Sequence, residues 1–142
     1  MAERHGTAQW SGDIQGGTGT FSAGSSLSGG FSYKSRFEEG PGSNPEELIA
    51  AAHAACFSMA LSGRLSRAEH PPTSIRTEAV VTIRPVEGAP TIVSVALHTV
   101  GEVPGIDGAT FLEHAEAAKA GCPVSRALAG VPEITLSATL EG

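Results

Sequence analysis

The sequence predicts an α+β fold in one domain over residues 1–142, with antiparallel sheets arranged around a long buried central helix. Two features carry this expectation. Strand-like segments come in runs joined by short turns, a pattern that favours antiparallel pairing over a doubly wound sheet. A single stretch, Ser43 to Leu61 (SNPEELIAAAHAACFSMAL), is apolar or small on nearly every side from Leu48 onward. Such a helix has to be buried all round, in its own domain or against another chain. A chain of 142 residues is long enough for one substantial core.

Each element has its own signal. Thr7–Ser11, around the only tryptophan, Trp10, and Gly16–Ala23 read as short strands, with Gly12-Asp13 and Gly16-Gly17 supplying turns. Ala23–Gly30 reads as a flexible connection and Phe31–Phe37 as a third strand, leading to the Glu38–Ser43 loop. The glycines do not make a phosphate loop, because no G-K-[ST] follows them. Asn44 is a favoured N-cap, Pro45 suits the first helical position, and Glu47 is spaced to reach back to the cap. Glu46 is left without a structural task. Pro71 and Pro72 enforce a break. Ile75–Val86 and Thr91–Val100 alternate as strands about an Glu87–Pro90 turn and predict a hairpin. Phe111, Leu112, Ala115 and Ala118 recur at helical spacing, with Gly121 placed to close that helix at C′ and Pro123–Leu128 forming a short turn after it. Ile134, Leu136, Ala138 and Leu140 alternate with polar residues in a last half-buried strand. The order is β-β-β-α-β-β-α-β, with no internal repeat.

Charge and composition exclude several functions. A net charge of −6, with nine scattered Lys and Arg, lacks the basic face that nucleic acid needs. The apolar run Leu48–Leu61 is too short to span a bilayer and contains His53 and Ser58. MAERHGTAQW has no apolar core of the signal-peptide kind, so the expectation is a cytoplasmic protein. In such a compartment two distant cysteines suit transient redox chemistry or inert burial, not a permanent staple.

The two thiols differ in setting. Cys122 precedes Pro123 at the opening of a short helix, where the dipole lowers a thiol pKa; local physics therefore makes it the more acidic. Cys56, mid-helix among alanines, would be raised by burial. Each also fits a small buried hydrophobe. Activating Cys56 by two pKa units needs roughly 2.7 kcal/mol of thiolate stabilisation. A guanidinium in a dry pocket supplies that, which nominates Arg36, with Glu46 as the carboxylate that orients it. Glu46 and Cys56 lie ten residues apart on one helix, about 15 Å along its axis. They can meet only if two copies of the helix pack antiparallel about Ala51, in a two-fold dimer. The alternative is that the alanines pack on the chain's own sheet and Glu46 is solvated. His53, three residues before Cys56, is either a second route to a thiolate or a satisfied core histidine. No metal-ligand spacing links His5, His70, His98 or His114 to a cysteine, and G-x-S-x-G is absent.

NPEELIAAAHAACFSMAL, followed by VPGIDGATF and AKAGCPVSRAL, closely resembles the OsmC branch of the OsmC/Ohr family of thiol peroxidases. The likeness runs from QWSGDI through SRFEEGPGSNPEEL to the terminal strand. It implies the OsmC-like fold in an intertwined homodimer with active sites at the interface. It implies Cys56 as peroxidatic nucleophile, against the local preference for Cys122, and Cys122 as the residue that resolves the sulfenate to a disulfide. Arg36 and Glu46 then activate the thiolate and orient the peroxide. Organic hydroperoxides are the implied substrates and a lipoyl-type dithiol the implied reductant, with no cofactor or metal. Phe57, Met59 and Phe111 belong either to the substrate pocket or to the core. Two other functions remain open beside this one: a thiol–disulfide oxidoreductase, weakened by the lack of C-x-x-C, and a non-catalytic dimeric binding protein with inert thiols.

Overall fold

The computed structural model describes all residues from Met1 to Gly142. The chain forms two compact units, Met1–Leu48 and Ile49–Gly142. In the first, β1 (Gly6–Ser11), β2 (Thr18–Ala23) and β3 (Leu27–Phe31) form an antiparallel meander. The β1–β2 turn uses Gly12 at φ +97°, where other residues are strained, and the Trp10 indole N–H donates to the Gly12 and Asp13 carbonyls.

Here the structure differs from the sequence expectation. Leu27–Phe31, expected to fall largely in a connection, is β3, and most of the expected third strand, Tyr33–Phe37, is a short helix, α1. Aromatic rings cover the glycines of these strands: an added Cβ at Gly29 would lie 2.9 Å from the Phe21 ring. Glycines that look like a flexible linker are thus holes filled by aromatic side chains. Ser32 then stops the strand through a capping box, its hydroxyl accepting from the Ser35 amide while the Ser35 hydroxyl accepts from the Ser32 amide.

Helix α2 (Pro45–Arg67) begins where expected, the Asn44 side-chain carbonyl accepting from the Glu47 amide at 2.8 Å. The Glu47 carboxylate reaches back to the Asn44 side-chain amide and the Ser43 hydroxyl, not to the cap backbone. The helix runs six residues past Leu61. It ends in a Schellman motif, with Glu69 at φ 66° and the His70 amide donating to the Leu65 carbonyl, just before Pro71 and Pro72. At 23 residues it is long and apolar enough to cross a membrane by length and composition, which the shorter expected run was not. Within the chain it is not buried all round. His53, Phe57, Leu61 and Leu65 form one fully buried stripe, whereas Ala51, Ala52, Ala55 and Met59 are exposed.

In the second unit β4 (Ser74–Val86) and β5 (Ala89–Glu102) form the expected hairpin. Its two-residue loop, Glu87 and Gly88, has positive φ at both positions. The expected all-antiparallel pairing fails at the last strand: β6 (Glu133–Leu140) lies parallel to β5. Two helices, α3 (Gly108–Gly121) and α4 (Pro123–Ala127), supply the crossover a parallel pair requires. Asp107 caps α3, and Cys122 rather than Gly121 ends it. Phe111, Ala115 and Ala118 face the core, but Leu112 is 44% exposed, one position off the buried stripe.

Phe111 lies across Gly101 of β5, where an added Cβ would collide with the ring, while the space around Gly108 is open. Gly101→Ala is therefore expected to cost about 1–3 kcal/mol through overpacking. Gly108→Ala should leave stability level or slightly raised, since alanine is the better helix former. Urea unfolding midpoints of the two variants check the contrast.

Candidate active site

Four side chains nominated by the sequence fall into two pairs, one in each unit. In Met1–Leu48, α1 presents Arg36 and the first turn of α2 presents Glu46. The Ser35 hydroxyl donates to the Ser43 carbonyl at 2.6 Å, and the Asn44 amide donates to the Ser35 carbonyl at 2.8 Å, so the two helix starts are fixed together. Across this clamp Arg36 Nη2 donates to Glu46 Oε1 at 2.8 Å, and Nε is 3.2 Å from both carboxylate oxygens. A planar fork on a carboxylate fixes direction as well as charge. The Glu46 side chain is 8% exposed and that of Arg36 36%. The guanidinium also lies 5.0 Å over the Phe37 ring, and it borders a cavity of about 240 Å³ lined by Trp10, Ile14, Phe31, Tyr33 and Phe37. The sequence reading missed these lining residues, having looked to Phe57, Met59 and Phe111. Phe57 and Phe111 are core residues, and Met59 is 78% exposed.

The second unit holds both thiols, free and near enough that each affects the other's ionisation. Cys122 is fully buried and is the N-cap of α4, its sulfur 3.4 Å from the Ser125 amide nitrogen and 3.5 Å from the Ser125 hydroxyl. Burial pushes the Cys122 thiol up. The Ser125 hydroxyl and amide, the Cys56 thiol and the Val124 amide together outweigh burial and hold it below the ordinary thiol value. Burial raises Cys56; the Val124 amide opposes this only in part, and the neighbouring Cys122 adds to the rise. In the reduced chain Cys122 is thus the more acidic thiol, as its position before Pro123 predicts.

His53 is fully buried on the stripe of α2, and its Nε2 is 2.7 Å from the Ser125 hydroxyl. It is neither a Cys56 partner nor a satisfied core histidine. Its other nitrogen, Nδ1, is buried without a partner, at a cost of about 1–3 kcal/mol. Burial lowers the His53 pKa and favours the neutral ring. Ser125 escaped notice in the sequence because a serine three residues after a cysteine-proline step reads as an ordinary helix-start residue. No group of three His, Cys, Asp or Glu is arranged to hold a metal.

Two neighbouring free thiols can pass between dithiol and disulfide with little rearrangement, chemistry that is open to Cys56 and Cys122. The same fold occurs in known proteins. This chain belongs to the OsmC-like protein family, whose model matches residues 38–137. It is 48% identical over 140 residues to Peroxiredoxin OsmC of Escherichia coli K12, covering 97% of this chain and 96% of that protein. A crystal structure of an organic hydroperoxide resistance protein OsmC from Legionella pneumophila superposes with a TM-score of 0.75 at 24% identity, covering 98% and 99% of the two chains. An organic hydroperoxide resistance protein from Elizabethkingia anophelis, solved with thiocyanate bound, gives 0.74 at 25% identity over 99% and 98%.

The neutral His53 makes folding pH-dependent. The unfolded imidazole takes up a proton below its ordinary value of 6.5, whereas the folded one, with a lowered pKa, resists it. Stability is therefore full above pH 6.5 and declines as the pH falls from there towards the folded pKa. Urea midpoints measured across that range should fall less steeply for His53→Gln than for the wild-type chain.

Proposed function

We propose that this chain reduces organic hydroperoxides with Cys56 as nucleophile, Cys122 as resolving thiol and a lipoyl-type dithiol as electron donor, and that it does so as a homodimer. The chain is a thiol-dependent hydroperoxide-reducing enzyme; the observation that carries the disulfide cycle is that its two free thiols are neighbours, each affecting the other's ionisation. The Cys56 thiolate attacks the terminal oxygen of the hydroperoxide and breaks the O–O bond. The alkoxide takes up a proton and leaves as the alcohol, and Cys56 becomes a sulfenic acid. The Cys122 thiolate then attacks the Cys56 sulfur and expels hydroxide, leaving a disulfide. Two exchange steps with the external dithiol return both thiols and leave the donor as a disulfide.

The dimer answers an electrostatic need. The Val124 amide favours the Cys56 thiolate, but burial and the neighbouring Cys122 outweigh it and the pKa is raised. The missing cation is Arg36 of the partner subunit, held by that subunit's Glu46 and brought to Cys56 by antiparallel packing of two α2 helices. Ala51, Ala52, Ala55 and Met59 are the exposed apolar face on which that packing is built. The aromatic cavity beside Arg36 suits the alkyl part of an organic hydroperoxide. On this reading residues 1–142 act as one catalytic domain, in the cytoplasm.

Cys56→Ser is expected to abolish turnover, and Cys122→Ser to leave a sulfenate that overoxidises. Both are read by mass spectrometry without reductant after one equivalent of cumene hydroperoxide. Thiols that stay free in the wild-type chain under these conditions would sink the proposal. Arg36→Ala should raise the Cys56 pKa by about two units. The pH profile of thiol alkylation measures that, and an unchanged profile removes Arg36 from the mechanism.

A further inference from the structure

We propose that His53 is a positioning residue for the resolving step, acting on the Cys122 sulfur through the Ser125 hydroxyl. The inference rests on the reading of Cys122 as the resolving thiol. It starts from a count of hydrogens. Ser125 has one hydroxyl hydrogen, and its oxygen lies 2.7 Å from His53 Nε2 and 3.5 Å from the Cys122 sulfur. If that hydrogen is directed at the sulfur, the oxygen must accept from His53, so Nε2 carries the imidazole proton.

Nδ1 is then a bare lone pair, and Nδ1 is the buried atom the structure leaves unpartnered. An unfilled acceptor is the milder of the two orphans, because buried N–H groups without partners are the rarer defect. The arrangement is thus a one-way chain of donation, from His53 Nε2–H to Ser125 Oγ–H to Cys122 sulfur. The Ser125 amide adds a second donor at 3.4 Å. Hydrogen bonds in such a chain polarise one another, and both bonds to sulfur strengthen when the sulfur is ionised.

The groups facing Cys122 are few. From α2 they are Cys56 directly and His53 through Ser125; from α4 they are Ser125 and the Val124 amide. His53 stays neutral because burial disfavours its charged form. The step served is the attack of Cys122 thiolate on Cys56 sulfenic acid: the S–S bond forms, the S–O bond breaks, and hydroxide leaves. The proton lost by the Cys122 thiol is balanced by the one that converts this hydroxide to water.

The test isolates Cys122 in a Cys56→Ser background, where ultraviolet absorbance of the thiolate against pH reports that thiol without requiring reagent access. Ser125→Ala and His53→Leu are each expected to raise the midpoint by about one pH unit. His53→Gln, which keeps an N–H near the Nε2 position, should recover most of that rise. With both cysteines present, conversion of sulfenate to disulfide after one equivalent of cumene hydroperoxide should be about tenfold slower in Ser125→Ala. An unchanged midpoint in Ser125→Ala overturns the proposal, as does equal behaviour of His53→Gln and His53→Leu. If His53→Leu does not fold, His53→Asn, whose shorter side chain does not reach the Nε2 position, takes its place in the comparison with His53→Gln. Failure of the wild-type chain to form any Cys56–Cys122 disulfide sinks the peroxidase cycle instead, while the Cys122 titration still decides whether His53 acts on that sulfur.

Discussion

Two helices of the second unit carry the same spacing. His53 and Cys56 are three residues apart on α2; Cys122 and Ser125 are three apart at the start of α4. Residues so spaced share a helix face, and the 2.7 Å contact between His53 and Ser125 sets these two faces against each other. That contact draws Cys56 and Cys122 into the same neighbourhood, where each affects the other's ionisation. The stripe of Phe57, Leu61 and Leu65 below it, buried with Val95, Leu97 and Phe111, keeps α2 from rolling away. Removing the imidazole would therefore disturb both an acid–base environment and the registration of two thiols.

Burial is what makes this centre selective and also what leaves it incomplete. A thiol among apolar side chains is protected from adventitious chemistry but is also pushed towards its neutral form, as Cys56 is. Cys122 escapes because Ser125 supplies two donors to its sulfur. Cys56 has only the Val124 amide against desolvation, and the neighbouring Cys122 adds to the rise. The forked guanidinium–carboxylate pair with a buried carboxylate, Arg36 with Glu46, belongs to the other unit. A second copy meeting the exposed alanine face of α2 resolves the difficulty in the reading favoured above.

Much of this was legible in the sequence, and the exceptions share a cause. Patterns local in the chain were sufficient for the α2 start at Asn44-Pro45, the β4–β5 hairpin and the alternating β6. Local reasoning also ranked the two thiols, because most of the groups that lower the Cys122 pKa, on Ser125 and Val124, lie within three positions of it. It failed where a long-range partner decides the outcome. Gly29 reads as linker because the Phe21 ring that occupies its space lies on the neighbouring strand, eight positions away in the sequence. The parallel pairing of β6 depends on a crossover, and alternation looks the same in either direction. Ser125 gains meaning only from His53, 72 residues away.

The distance in sequence between the two thiols has a thermodynamic corollary. A bond joining Cys56 to Cys122 would tie off a loop of roughly 65 residues, removing disorder from the unfolded chain worth about 4 kcal/mol in the loop-entropy account. Catalytic turnover would then alternate between a lightly braced and a heavily braced molecule. A burst of oxidant would leave the protein at its most resistant to proteolysis, and returning reductant would loosen it again.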